Sequence, residues 1–197
     1  MKAWVFLWVS AGVSLGYAAP ENVALKKPYA LSPAPDYRYC TDPDDAVQLT
    51  DGAYSQGYFW TQKSTVGWNS AAPVLCIIDL GKVEPIGGLS WSCAAGVAGV
   101  TWPESLHVLA SDDQKSWTCL GDLCVLGTEV RLPPEKGYAQ FRYATEKMKG
   151  RGRYVCVVAA AQQYCFVDEV EVWRGEDAWL QGELPGQKVS DPQAFYL

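Results

Sequence analysis

The sequence predicts an all-β protein, a sandwich of short antiparallel strands, and three observations carry that expectation. Between residues 22 and 175 no apolar pattern of helical period persists beyond a few turns. Short runs rich in Val, Ile, Leu, Trp and Tyr recur instead, separated by clusters of Gly, Pro, Asp and Ser. In the run Phe166–Trp173, Val167, Val170 and Val172 interleave with Asp168, Glu169 and Glu171, as a strand with one wet face requires.

The elements follow in order. Val74–Leu80 is the first expected strand, and Cys76 within its apolar run reads as a buried free thiol acting as a small hydrophobe. Gly88–Cys93 comes next, with Trp91 in its pattern and so in the core. Leu106–Ser111 sets His107 between apolar neighbours, which turns the imidazole toward solvent. Ser111-Asp112-Asp113-Gln114-Lys115 reads as a hairpin turn into Ser116–Leu120. Glu129–Leu132, Tyr138–Tyr143, Tyr154–Ala159 and Phe166–Trp173 complete the set. Residues 176–197 hold Gly182, Pro185, Gly186 and Pro192 with few apolar side chains, so they read as a linker or tail. The abrupt end at Phe195-Tyr196-Leu197 suggests a piece of a larger multidomain protein.

Residues 1–18 read as a secretory signal peptide. Lys2 is the positive end, Ala3 to Leu15 is apolar, and Gly16-Tyr17-Ala18 supplies small residues for cleavage after Ala18 or Ala19. The apolar stretch falls short of the roughly 20 residues that span a bilayer. A secreted product is therefore expected, extracellular or, in a bacterium, periplasmic. The formal net charge of −6, with no long basic run, argues against nucleic acid as a partner. His107 is the single histidine, which excludes a multi-histidine zinc site. Seven cysteines leave at least one thiol unpaired. Cys119–Cys124 and Cys156–Cys165 are each near enough in sequence to bridge neighbouring strands, and the connectivity stays open.

A set of landmarks then carries a resemblance. Asn22-Val23-Ala24-Leu25-Lys26-Lys27-Pro28, Leu49-Thr50-Asp51-Gly52 with Trp60, and Ile78-Asp79-Leu80-Gly81 occur in that order. Leu106–Ser111 with Trp117, Arg153-Tyr154-Val155 and Asp168–Trp173 follow. Together they resemble the discoidin (coagulation-factor type C) family over 22–175, and the chain is similar to family 32 carbohydrate-binding modules. The resemblance implies a galactose-binding-like jelly-roll β-sandwich of two antiparallel sheets, with ligand-binding loops at one end. It also implies a structural calcium. Carried over by position, the carboxylates of Asp51 and Glu169, the backbone carbonyls of Gln48 and Ala53, and the amide oxygen of Gln56 would hold it. Calcium suits such a set because it takes 6–8 oxygens in adaptable geometry. Gln56 departs from the family, which usually has Thr there. The acidic cluster Asp42, Asp44 and Asp45 lacks EF-hand spacing and reads as a solvated turn.

Sugars present apolar C–H faces and a rim of hydroxyls, so a lectin-like site wants an exposed aromatic platform beside planar polar groups. Trp68 and Trp102 are the expected platforms, and Tyr58, Gln62, Asn69 and Arg151 the expected polar contacts. Trp60, Trp117 and Trp173 match core landmarks of the resemblance and are read as core. Nothing in the sequence marks a convergent carboxylate pair, a Gly-x-Ser-x-Gly elbow, a P-loop or a dinucleotide fingerprint, so an enzyme is not expected. The expected function is a secreted, non-catalytic module that recognises a glycan or glycoconjugate, alone or beside other domains of a larger protein. The alternatives are a protein- or membrane-binding adhesion domain, or a structural spacer of a glycan-degrading enzyme. The acidic charge and the lack of a basic loop cluster argue against membrane insertion.

Overall fold

The computed structural model describes residues 19–70, 73–129, 131–183 and 185–195. The expected signal peptide lies outside them. Among the described residues no helix is long and apolar enough to cross a membrane.

The strands are β1 (Tyr29–Ser32), β2 (Val66–Asn69), β3 (Val74–Ala95), β4 (Ser105–Ser111), β5 (Trp117–Asp122), β6 (Ala139–Thr145), β7 (Gly150–Ala160), β8 (Tyr164–Arg174) and β9 (Gln187–Val189). A single helical turn, α1 (Leu123–Leu126), follows β5, with the Asp122 carboxylate capping Cys124 N–H. All strand pairings are antiparallel. The hydrogen-bonded ladder is continuous rather than split into two separate sheets, because β3 runs through both layers of the sandwich. Its first half pairs with β1 and β7, and its second half with β6 and β8.

The fold of β3 upon itself comes from local chemistry. Asp79 Oδ1 accepts the Gly81 N–H at 2.8 Å, Gly81 sits at φ +85°, and the register with β7 shifts between Asp79 and Glu84. A side chain at Gly81 would be strained in that left-handed conformation. Past the bend, a Cβ on Gly88 would stand 2.1 Å from the Thr145 carbonyl oxygen, so β6 closes on β3 only over a glycine.

Alternation then builds the core. Val74, Cys76, Ile78 and Leu80 of β3 face Leu106, Val108 and Ala110 of β4 and Val155, Val157 and Ala159 of β7 in one layer. Leu89, Trp91 and Cys93 of β3, Phe141 and Tyr143 of β6, and Val167, Val170 and Val172 of β8 close it from the other. Two smaller apolar clusters cover the outer faces. Leu75, Leu109, Trp117, Cys156 and Val158 form one; Cys40, Phe59, Ala94, Ala95, Val100 and Phe166 form the other.

Most expected strands are present, with four differences. Val74–Leu80 and Gly88–Cys93 are one continuous strand. Residues 129, 131 and 132 are not extended in a sheet. β1 and β2 are only four residues each, too short for a pattern to show. The segment 176–197, expected as a linker or tail, instead returns to the body: Trp179 packs on Gly175, and β9 adds to β5 as an edge strand.

Candidate functional site

At the pole where β3 ends and β8 begins, three loops converge: residues 57–62, 96–102 and 134–138. A 3-10 turn at Phe59–Thr61 fixes the first. Phe59 is fully buried, and Thr65 Oγ1 donates to its carbonyl at 2.6 Å. With Phe59 inward, Tyr58 and Trp60 are turned toward the surface. The Tyr58 ring lies 4.5 Å from Tyr138 and 5.6 Å from Trp60, and Trp60 meets Tyr138 edge-on at 5.3 Å. Tyr58 is 52% exposed, and Trp60 and Tyr138 are half-buried. The result is a stepped aromatic surface resting on Phe166.

Polar groups hold this surface in place. Tyr138 Oη donates to the Gly57 carbonyl, as does Gln140 Nε2 at 3.2 Å. Gln62 Nε2 lies beside Gly57 and donates to Thr61 Oγ1. The second and third loops touch at Gly96, where any Cβ would strike the Gly137 carbonyl at 1.9 Å. Beyond that contact opens a shallow cavity of about 330 Å³, lined by Val97, Val100, Thr101, Trp102 and Glu135.

The structure sorts the residues expected to bind ligand. Tyr58, Gln62 and Trp102 come together at this pole. Trp102 is half-buried, with Nε1 donating to the Pro134 carbonyl at 2.9 Å and its ring on Phe141 and Tyr143. It is a wall of the cavity rather than a free platform. Trp68 is a correction: it is 0% exposed in β2, and its Nε1 donates to the Pro33 carbonyl. In β2 its side chain faces the core, and sequence spacing alone does not reveal that direction. Asn69 is exposed at the end of β2, in register with Tyr164. Arg151 is a second correction, for it stands at the opposite pole, beside the bend of β3. Trp60, read as core, is half-buried within the aromatic surface. Tyr138 and Gln140 carry no local signal in the sequence, because only the fold brings the start of β6 to Gly57. Trp91 and Trp117 are buried as expected, and Trp173 is half-buried. His107 is half-buried on the face of β4 opposite Leu106 and Val108.

Of the expected calcium ligands, Asp51 and Glu169 lie near one another beneath the loop that leads to Tyr58. Glu169 is fully buried and accepts Gly52 N–H at 3.2 and 3.3 Å through its two oxygens. Burial, and then repulsion from Asp51, Glu171 and Asp168, push its carboxyl up to about 8, although the Gly52 N–H opposes the shift. Asp168, beside it, accepts Ser55 N–H through Oδ2 at 2.7 Å, while its buried Oδ1 has no hydrogen-bond partner. Burial raises Asp168 to about 6. Asp51 Oδ1 accepts Ala53 N–H at 2.7 Å, Gln48 is buried and Gln56 is exposed. An all-oxygen set, an excess of negative charge and an orphaned carboxylate oxygen fit a hard cation. Among the described residues no group of three or more His, Cys, Asp or Glu side chains is gathered as a metal cluster, so backbone and amide oxygens would have to complete the shell. Asp45 corrects the reading of the neighbouring acidic turn. It is 6% exposed, accepts Gln48 Nε2 at 2.8 Å, and burial raises it to about 6.

No protein-family model matches the chain, and no curated protein does. Solved structures do. A fucolectin (F-lectin) from striped bass serum, Morone saxatilis, superposes with a TM-score of 0.53 at 15% identity, covering 80% of this chain and 50% of that one. The module CpGH89CBM32-6 of Clostridium perfringens gives 0.49 at 16% identity, over 79% of this chain and all of its own. A fucose-binding module of Streptococcus pneumoniae gives 0.48 at 14%, over 79% and 99%. The likeness to the fucolectin shows the class by fold alone: an antiparallel β-sandwich.

Proposed function

We propose that this protein is a secreted, non-catalytic glycan-binding module whose ligand sits at the pole formed by residues 57–62, 96–102 and 134–138. The stepped surface of Tyr58, Trp60 and Tyr138 carries this reading. An exposed ring braced by two others gives a rigid apolar face for sugar C–H groups, with little side-chain entropy left to lose. Gln62 and Gln140 stand beside it as planar amides, and Glu135 and Thr101 line the adjoining cavity. The fucolectin that shares the fold is a lectin by name, which supports the same reading. The structural calcium belongs to the proposal: Asp51 and Glu169 would hold it, with the backbone of Gln48 and Ala53 and the amide of Gln56, and it would rigidify the loop that leads to Tyr58.

A glycan array probed with residues 20–197 tests the proposal. Retention on a defined glycan is expected, and Tyr58→Ala should weaken it about tenfold, the worth of one stacked ring, with an unchanged melting temperature. Binding to anionic liposomes alone would overturn it in favour of a membrane-binding domain.

A further inference from the structure

The pole opposite the aromatic surface holds a larger cavity, about 500 Å³. Its floor is one face of β5. Ser116, Thr118 and Leu120 alternate along that face, while Trp117 and Cys119 turn to the outer apolar cluster. β9 continues the floor with Lys188, which stands in register with Thr118. Leu120 at the far end of this face packs against the central core, whereas Ser116 is exposed and Thr118 half-buried, so that end of the face stays open to the cavity. A sheet face that carries Ser, Thr and Lys is built to be wet. The segment returning after β8 walls it with Gly182, Glu183 and Gly186, and the β4–β5 turn and Arg151 close the sides.

The lining alternates donors and acceptors. Arg151 is held by one hydrogen bond, from Nη1 to the Leu180 carbonyl at 3.0 Å, and its Nη2 is 3.9 Å from Asp112, beyond hydrogen-bond distance. Lys188 Nζ donates to Thr118 Oγ1 at 2.8 Å, which uses one of its three hydrogens. Asp113 is committed to the turn, accepting Lys115 N–H at 2.9 Å and Ser116 N–H at 3.1 Å. Asp112 and Glu183 supply carboxylates at the rim. A phosphate or sulfate would face these acids, a simple cation would face Arg151 and Lys188, and an apolar ligand would find only Ala110 and Leu120. A neutral polyol is different, because each hydroxyl both donates and accepts.

We propose that this cavity is a second ligand site, independent of the aromatic pole, for a neutral polyhydroxylated ligand such as a sugar unit held edge-on by Arg151, Asp112 and Lys188. Its volume lies within the roughly 300–1,000 Å³ of small-ligand sites. Two sites at opposite poles would let one domain bridge two glycan chains.

The test is amide-resolved NMR of the full chain, titrated with D-galactose, D-mannose, L-fucose and N-acetylglucosamine, and separately with inorganic phosphate. At least one sugar should shift the amides of residues 111–118 and 186–188, and phosphate should not. Arg151→Gln should weaken that response about tenfold or more, the worth of a charged hydrogen bond, and leave the amides of 57–62 and 96–102 unchanged. Asp112→Asn is the second variant should Arg151→Gln fail to fold. The proposal is overturned if no sugar shifts this pole, if phosphate alone does, or if a folded variant responds like the parent. Shifts at this pole with none at the aromatic pole would keep this site and remove the other.

Discussion

Glu169 sits where a carboxylate is least comfortable, fully buried and next to other acids. Its carboxyl is raised from 4.5 to about 8, so the folded protein holds a proton that the unfolded chain releases. The stabilisation is complete below about 4.5 and is lost as pH rises toward about 8. In chelator the melting temperature should fall across that window, and Glu169→Gln should flatten the slope. The proposed calcium would bind the ionised form, so adding it should displace the proton and raise the melting temperature from neutral pH upward. Equal melting curves in calcium and chelator would reject the metal. Trp68 shows the opposite case, a residue whose role is packing. Trp68→Ala should cost about 3–5 kcal/mol, read as a lost or sharply lowered urea midpoint, whereas a binding platform would leave the midpoint unchanged.

The returning C-terminal segment is an element that owes its structure to its neighbour. β9 is three residues long, and alone it would not persist. Pairing with β5 lets Val189 pack against Trp117. Ion pairs from Arg174 to Glu84 and Asp177 hold the start of the segment. Truncation after Gly186 should keep the fold and lower the melting temperature by several degrees. Losing part of a valine's burial is worth about 1–2 kcal/mol, and each kcal/mol moves a domain of this size by about 2–4 °C. An unchanged melting temperature would mean that the strand does not dock in solution. In the sequence this segment looks like a tail because its glycines and prolines mark turns, and its docking residues, Trp179 and Val189, are too far apart to make a pattern.

Across the whole molecule, the thiols are distributed so that none pairs. Among the described residues all seven cysteines are free. Cys119 packs with the outer cluster and Cys124 with the central core; Cys156 is outer and Cys165 central. In each pair close in sequence, one member thus lies in the central core and the other on an outer face. Burial pushes the thiols of Cys76, Cys124 and Cys165 up to about 12, which keeps them protonated and unreactive. A reducing agent should therefore leave the melting temperature unchanged, and a drop of several degrees would reveal a disulfide. A protonated thiol shielded from solvent also resists oxidation. By itself the sequence determined the strand-rich class and most strand positions, because period-two alternation and turn residues act over a few neighbouring positions. Only the tertiary structure decided which tryptophan is core, which pole receives Arg151, and that Tyr58 meets Tyr138. Those contacts join residues far apart in the chain, and they exist only once β3 has folded back at Gly81 and carried its two halves into opposite layers.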